Sequence, residues 1–170
     1  MKKFSLRSAI TFVLQTALLL FLVSTALDWV RKPNAEATLA NSEALAAQLR
    51  HPQMSQFAGQ EASVLYFWAT WCGVCRHTSP TIEQLRSDGV PVLAVALQSG
   101  DEANVANYLR EHGLGFANVN DESGELARQW GVQVTPTIII LKNGEIVHHT
   151  TGLSSYYGLR ARLWWANLWA

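Results

Sequence analysis

The sequence predicts an α/β fold, a central mixed β-sheet flanked by helices, with an N-terminal transmembrane helix ahead of it. Three observations predict this. Val64 to Trp68 is an unbroken run of β-branched, aliphatic and aromatic residues, the pattern of a strand buried on both faces, and Val90 to Leu97 repeats it after an intervening helical pattern. Asn143-Gly144 stands between two further β runs, the strongest short signal for a hairpin, so an antiparallel pair joins the parallel one. Ala9 to Leu27 are nineteen residues without a charge, interrupted only by Thr11, Gln15, Thr16, Ser24 and Thr25. At about 1.5 Å per residue, that helix reaches roughly the ~30 Å thickness of a hydrocarbon core.

In chain order, the apolar segment comes first. Lys2, Lys3 and Arg7 precede it, and Trp29 follows at the expected membrane interface. Ser24-Thr25-Ala26 offers small residues where a signal peptidase cuts, but the apolar run exceeds the ~7–15 residues of a signal core, which favours a retained anchor. The basic residues before the segment outweigh Arg31 and Lys32 beyond it, which places the N-terminus in the cytoplasm. The remainder then lies outside; in a bacterium it is a periplasmic domain on a single-pass inner-membrane protein, in an oxidising compartment. We divide the chain into a cytoplasmic stub and anchor (1–32), a tether with the N-terminal part of the domain (33–62), and the main domain (63–170).

The 13 basic and 13 acidic residues are unevenly shared: residues 1–32 hold five and one, leaving eight and twelve. A mildly acidic domain with no cluster of Lys and Arg argues against nucleic-acid binding. Pro33 to Ala170 suffices for one domain with a full core and not for two. Pro33 to Ala37 reads as a short tether, and Asn41 or Ser42 can cap a helix through Leu45 and Leu49. After the first strand, Thr81, Ile82 and Leu85 recur at helical spacing among polar residues, until Ser87-Asp88-Gly89 ends the helix. Ser99-Gly100-Asp101 starts a second helix through Val105, Tyr108 and Leu109, closed by His112-Gly113. A short strand from Phe116 to Asn120 follows, then a short helix with Leu126, Ala127 and Trp130 on one face. The hairpin strands are Thr137 to Leu141 and Ile146 to Thr150. Ser154 to Ala170, with Tyr156, Tyr157, Leu159, Leu163, Trp164, Trp165, Leu168 and Trp169 around Arg160 and Arg162, is too short and charged to span a bilayer. It reads as a terminal helix covering one face of the sheet, with a lipid-interface helix as the competing reading.

The chemistry lies in Phe67-Trp68-Ala69-Thr70-Trp71-Cys72-Gly73-Val74-Cys75, which holds both cysteines of the chain. Cys72 falls at the turn from strand to helix, where unpaired N–H groups and the positive end of the helix dipole favour a thiolate. Cys75 lies one turn on, on the same face, so the two sulfurs can close a disulfide and cycle by exchange with another protein. A zinc site needs four ligands, and neither a third cysteine nor His77 alone supplies them. A purely structural bridge over so short a loop gains little chain entropy.

This segment resembles the active site of the thioredoxin superfamily, in its membrane-tethered TlpA and ResA-like branch, and Val134-Thr135-Pro136-Thr137 matches the family's second motif, a loop whose cis-proline packs against the cysteines. Ser99-Gly100-Asp101 and Arg162-Leu163-Trp164-Trp165-Ala166 extend the likeness toward members that serve copper tolerance. The resemblance implies a thioredoxin-like fold with an extra helix and strand after the second strand, and a protein-disulfide oxidoreductase, the reductase direction favoured. Cys72 and Cys75 are then catalytic, and Trp71, Thr135 and Pro136 bind substrate. If the proline is cis, the backbone of Thr135 becomes an edge on which an extended substrate strand pairs. The implied partners are cysteine-bearing substrate proteins and a membrane-embedded DsbD-like electron donor, with no metal or organic cofactor. Two departures stand out. Tyr66 occupies the position of thioredoxin's buried aspartate, and Thr78 stands where many cytochrome c maturation reductases carry a glutamate. Arg76 and His77 flank the helix start, either beside a thiolate or as solvated surface.

Two rival functions remain. A copper-binding or copper-delivery protein would use the same thiolates, with His148-His149 as borderline ligands. A holdase or scaffold would work through the tryptophan-rich C-terminus and survive loss of both cysteines.

Overall fold

The computed structural model describes residues 15, 16, 19, 61–143 and 145–169. The expected anchor, the tether and the helix expected after Asn41 otherwise lie outside the described residues. Gln15, Thr16 and Leu19 are helical and exposed, and among the described residues no helix is long and apolar enough to cross a membrane.

Among the described residues from 61 onward, nine elements follow in order: β1 (Ser63–Trp68), α1 (Gly73–Ser87), β2 (Val92–Leu97), α2 (Glu102–Glu111), β3 (Ala117–Asp121), α3 (Glu125–Gln129), β4 (Thr137–Lys142), β5 (Glu145–Thr151) and α4 (Tyr156–Trp169). The strands form one sheet in the order β3-β2-β1-β4-β5. β1 pairs parallel with β2, and β2 with β3, where helices make the crossovers. β4 runs antiparallel to β1 and to β5. The expected mixed sheet is therefore present, with β1 at its centre.

Because side chains alternate along a strand, β1 feeds two cores. Val64, Tyr66 and Trp68 point into one, with Ile82 and Leu85 of α1, Val105 of α2, and Leu159, Leu163 and Ala166 of α4. Leu65 and Phe67 point into the other, with Leu93, Val95, Ile139, Leu141, Ala127 and Trp130. Burial on both faces is why β1 reads as a continuous apolar run, and it leaves the strand's C-terminal end as the place where the chain turns into α1.

Several boundaries differ from the sequence pattern. β2 begins at Val92, because Pro91 has no N–H for the ladder and contributes only its carbonyl, which accepts from Val64 N at 2.8 Å. β3 is displaced by one residue: Phe116 leaves the strand and buries its ring edge-on against Tyr66 and Trp68. α1 starts directly after Cys72, as expected, and runs through Pro80, which lies on its exposed side. The register between β4 and β5 shifts at Ile140/Leu141, where β5 carries one extra residue, a β-bulge. At the expected stop after α1, Gly89 adopts φ +87, and Gly89 N and Val90 N close the helix on Arg86 O and Leu85 O.

α4 does what a terminal helix covering the sheet should do. Leu159, Leu163 and Ala166, at helical spacing, are buried, while Tyr157, Trp164, Trp165 and Leu168 face outward. Its start is fastened to the end of α1, where Tyr156 Oη donates to Asp88 Oδ2 at 2.5 Å.

Candidate active site

The turn after β1 delivers Cys72 as the N-cap of α1, in extended backbone (φ −83, ψ 108). At that position a side-chain acceptor meets the first free N–H groups of the helix. The Cys72 Sγ takes this role, accepting from Cys75 N at 3.1 Å. Cys72 and Cys75 are joined as a disulfide with their Cα atoms 5.2 Å apart, so the structure is the oxidised form. The two sulfurs are unequally reachable: Cys72 keeps 8% of its surface exposed and Cys75 only 1%. A partner sulfur can therefore reach Cys72, while Cys75 sits beneath it.

The second loop closes on the first. The Thr135–Pro136 peptide bond is cis, as the resemblance implies, and Thr135 O lies 3.5 Å from Cys72 Sγ. Pro136 is buried and its carbonyl accepts from Gly152 N at 2.9 Å, while Thr137 Oγ1 donates to Val134 O at 2.7 Å. Trp71 is 63% exposed at the rim, its indole Nε1 donating to Gln98 O at 3.0 Å. Val74, in the first turn of α1, and Val134, in the loop before β4, are exposed apolar side chains. All five residues expected at the site thus come from two segments that meet at Cys72: 71–75, at the junction of β1 and α1, and the loop 134–136 before β4.

Beneath the cysteines the site is apolar and neutral. Tyr66, on the central strand and fully buried, shares a 3.0 Å hydrogen bond with Ser79 Oγ, one helical turn after Cys75. Burial pushes the Tyr66 phenol well above its ordinary range; the bond with Ser79 opposes that shift and the neighbouring Tyr108 adds to it. The position that carries an acid in thioredoxin therefore carries a hydroxyl that stays protonated here. Thr78 is buried and donates to Val74 O within the helix. Arg76 and His77 are exposed on α1. The buried carboxylate among the described residues, Asp121, works elsewhere: its oxygens accept from Leu126 N (3.2 Å) and Ala127 N (2.8 Å) at the start of α3.

Among the described residues, no group of three or more His, Cys, Asp or Glu side chains converges on a common point. His148 and His149 lie on β5, paired opposite Ile140 and Ile139 of β4, and do not join the cysteines in a ligand cluster.

Sequence reasoning missed three contributors. Gln98 and Ser99 hold the loop before Cys72, a role that neither the helix-start pattern nor the family likeness of Ser99-Gly100-Asp101 indicates; Ser79 bonds Tyr66 from inside what reads as a polar helix stretch. A serine or glutamine closing a strand carries no local pattern that says which distant backbone it will meet.

This geometry can be set beside known proteins. A family model described as the AhpC/TSA family matches residues 33–149. The chain belongs to the AhpC/TSA family. A thioredoxin-like protein of Haemophilus influenzae is 40% identical over 159 residues, spanning 91% of this chain and 95% of that protein. A thiol:disulfide interchange protein DsbE homologue of Paracoccus denitrificans is 41% identical over 88 residues, 51% of this chain and 48% of the relative. A thiol-disulfide oxidoreductase ResA of Oceanobacillus iheyensis is 34% identical over 99 residues, 55% and 50% of the two chains. The chain thus spans about half the length of those two relatives. Among solved structures, a secreted thiol-disulfide isomerase of Corynebacterium glutamicum (TM-score 0.60, 18% identity, 67% of this chain and 74% of that one) shares the fold. So does a secreted disulfide oxidoreductase of Mycobacterium tuberculosis (TM-score 0.55, 22% identity, 62% and 82%). This AhpC/TSA-family chain has the thioredoxin-like fold and is a protein-disulfide oxidoreductase in the company of DsbE- and ResA-type relatives.

Proposed function

We propose that the chain is a membrane-anchored periplasmic oxidoreductase working in the reducing direction, with Cys72 as its attacking sulfur and Cys75 as its resolving one. The carrying observation is the asymmetry of the pair: Cys72 is reachable and sits at the helix N-cap accepting from Cys75 N, whereas Cys75 is 1% exposed. In the reduced protein the same N–H and the helix dipole stabilise a Cys72 thiolate. That thiolate attacks one sulfur of a substrate disulfide. A Cys72–substrate bond forms, the substrate S–S bond breaks, and the released substrate thiolate takes a proton from water. Cys75 then loses its proton and attacks Cys72 Sγ, which expels the second substrate sulfur as a thiolate, itself protonated from solvent, and leaves the intramolecular disulfide seen here. With no carboxylate at residue 66, solvent entering by the exposed Cys72 side takes the Cys75 proton. The substrate is reduced by two electrons, and a dithiol on a membrane-embedded DsbD-like donor returns them.

Thr135 and Pro136 frame the approach. With Thr135 O at 3.5 Å from Cys72 Sγ, a substrate strand paired on the Thr135 backbone presents its cysteine to that sulfur, and exposed Trp71 provides an apolar wall. Residues 9–27 supply the anchor, residues 33–62 the tether and the N-terminal part of the domain, and 63–170 the catalytic domain; a copper-tolerance setting follows from the sequence resemblance of the 99–101 and 162–166 segments.

The test is trapping. A Cys75→Ser chain, offered a disulfide-bonded protein at neutral pH, should accumulate a dithiothreitol-sensitive mixed disulfide at Cys72, and Cys72→Ser should give none. An adduct forming on Cys75 of the Cys72→Ser chain at the same rate would reverse the assignment. A stoichiometric Cu(I) complex without exchange would replace it by the copper-delivery reading.

A further inference from the structure

The strand that should simply pass from β2 into α2 instead makes an unusual corner. Gln98 adopts φ +44, the left-handed region that non-glycine residues seldom occupy. That conformation turns its carbonyl toward the active-site loop, where it accepts from Trp71 Nε1 at 3.0 Å. The next residue, Ser99, is 7% exposed; its Oγ accepts from Thr70 N at 3.0 Å and donates to Leu97 O at 3.0 Å. Two consecutive residues of the β2–α2 loop therefore grip the two consecutive residues that precede Cys72.

The grip is braced from behind. Gln98 N donates to Asp121 O (2.9 Å) and Asn120 Nδ2 donates to Gly100 O (2.8 Å), which tie the loop to the end of β3. Asp101 Oδ1 accepts from Asn104 N at 2.8 Å and fixes the start of α2. The loop is held at both ends, so it can hold something else.

We infer that Gln98 and Ser99 form a positioning clamp that sets the reactivity of Cys72 by fixing the turn from Ala69 to Cys72. The chain of contacts is short. Ser99 fixes Thr70, the turn closes through Cys72 N donating to Ala69 O at 3.2 Å, and this backbone places Sγ against Cys75 N. Without the serine hydroxyl, Thr70 N–H loses its acceptor and the turn samples arrangements in which the sulfur leaves that donor. A thiolate without the donor is less stabilised, so the thiol titrates at higher pH. Gln98 acts in parallel, holding Trp71 as a preset wall although its ring is mostly exposed. Both are positioning residues; neither touches the reacting sulfur. The inference rests on Cys72 being the attacking sulfur.

The experiment is the pH profile of iodoacetamide alkylation at Cys72, resolved by peptide mass spectrometry, on the full-length reduced chain. Ser99→Ala should slow alkylation at pH 7 by about two- to tenfold, the factor corresponding to one hydrogen bond, and move the profile to higher pH. Ser99→Thr keeps the hydroxyl and should restore the wild-type profile. Gln98→Val, strained at positive φ, should behave like Ser99→Ala, whereas Gln98→Gly takes the same backbone freely and should stay within about twofold of wild type. If Ser99→Ala proves too unstable to assay, the Gln98→Val and Gln98→Gly comparison decides alone. A wild-type pH profile in Ser99→Ala, or in Gln98→Val, overturns the clamp while leaving the redox assignment intact. If wild-type Cys72 is no faster than Cys75, the redox assignment and the clamp fall together.

Discussion

Replacing Tyr66 by Phe removes one oxygen from the centre of the domain, and the structure gives that change two separable consequences. Tyr66 is fully buried and its hydroxyl shares a 3.0 Å hydrogen bond with Ser79 Oγ, so the substitution leaves a buried serine short of a partner. The expected loss at pH 7 is about 1–2 kcal/mol. The second consequence appears only in alkali. Burial raises the Tyr66 phenol above its ordinary 10.0, so the folded chain keeps a proton that the unfolded chain releases. For a group raised in the folded state, the stabilisation is complete below the unfolded value and is lost as pH climbs past it. At one unit above the unfolded value the wild type loses about 1.4 kcal/mol through this group, and a phenylalanine loses nothing. The wild-type advantage of about 1–2 kcal/mol at pH 7 should therefore shrink to near zero at pH 11. Urea unfolding of both oxidised proteins at the two pH values, in the same detergent, measures the difference, and the disulfide keeps the cysteines from titrating. A stability gap that is equal at pH 7 and pH 11 would refute the claim that the fold holds this phenol neutral.

Other substitutions test the frame around the site. Asp121→Ala removes a buried carboxylate that accepts from Leu126 N and Ala127 N, and should cost about 2–3 kcal/mol by thermal or urea unfolding, with Asp121→Asn recovering part of it. Leu163→Ala, at a 5% exposed position that presses α4 onto the sheet, should cost about 2–4 kcal/mol; Trp164→Ala next to it, 62% exposed, should stay within about 0.5 kcal/mol. Equal effects at 163 and 164 would mean that α4 does not face the sheet as described.

Much of this architecture is legible in the sequence because β1 is central. A strand buried on both faces must be apolar throughout, and its abrupt end at Ala69-Thr70-Trp71 marks the turn where Cys72 begins a helix. The Asn143-Gly144 turn and the buried spacing of Leu159, Leu163 and Ala166 are equally local signals, and the elements appear where those signals put them. Boundaries moved for reasons that periodicity does not carry. Val90 and Pro91 look like strand residues until the missing N–H of Pro91 is counted, and Phe116 looks like one until its ring finds Tyr66 and Trp68. The site divides in the same way. Cys72 and Cys75 announce themselves by spacing, and Thr135 and Pro136 by their motif. Ser99, Gln98 and Ser79 act through partners 13 to 29 residues away, which no periodicity encodes.

The central claim is that Cys72 and Cys75 are a reversible exchange centre poised as a reductant, and the equilibrium reduction potential of the pair tests it most directly. The oxidised protein is titrated against defined ratios of reduced and oxidised dithiothreitol or glutathione and followed by tryptophan fluorescence, with Trp71 beside the disulfide as the reporter. The account predicts a single two-electron transition in the range of thioredoxin, about −270 mV. A pair that never closes reversibly, or one that titrates near the oxidant value of about −120 mV, would contradict it.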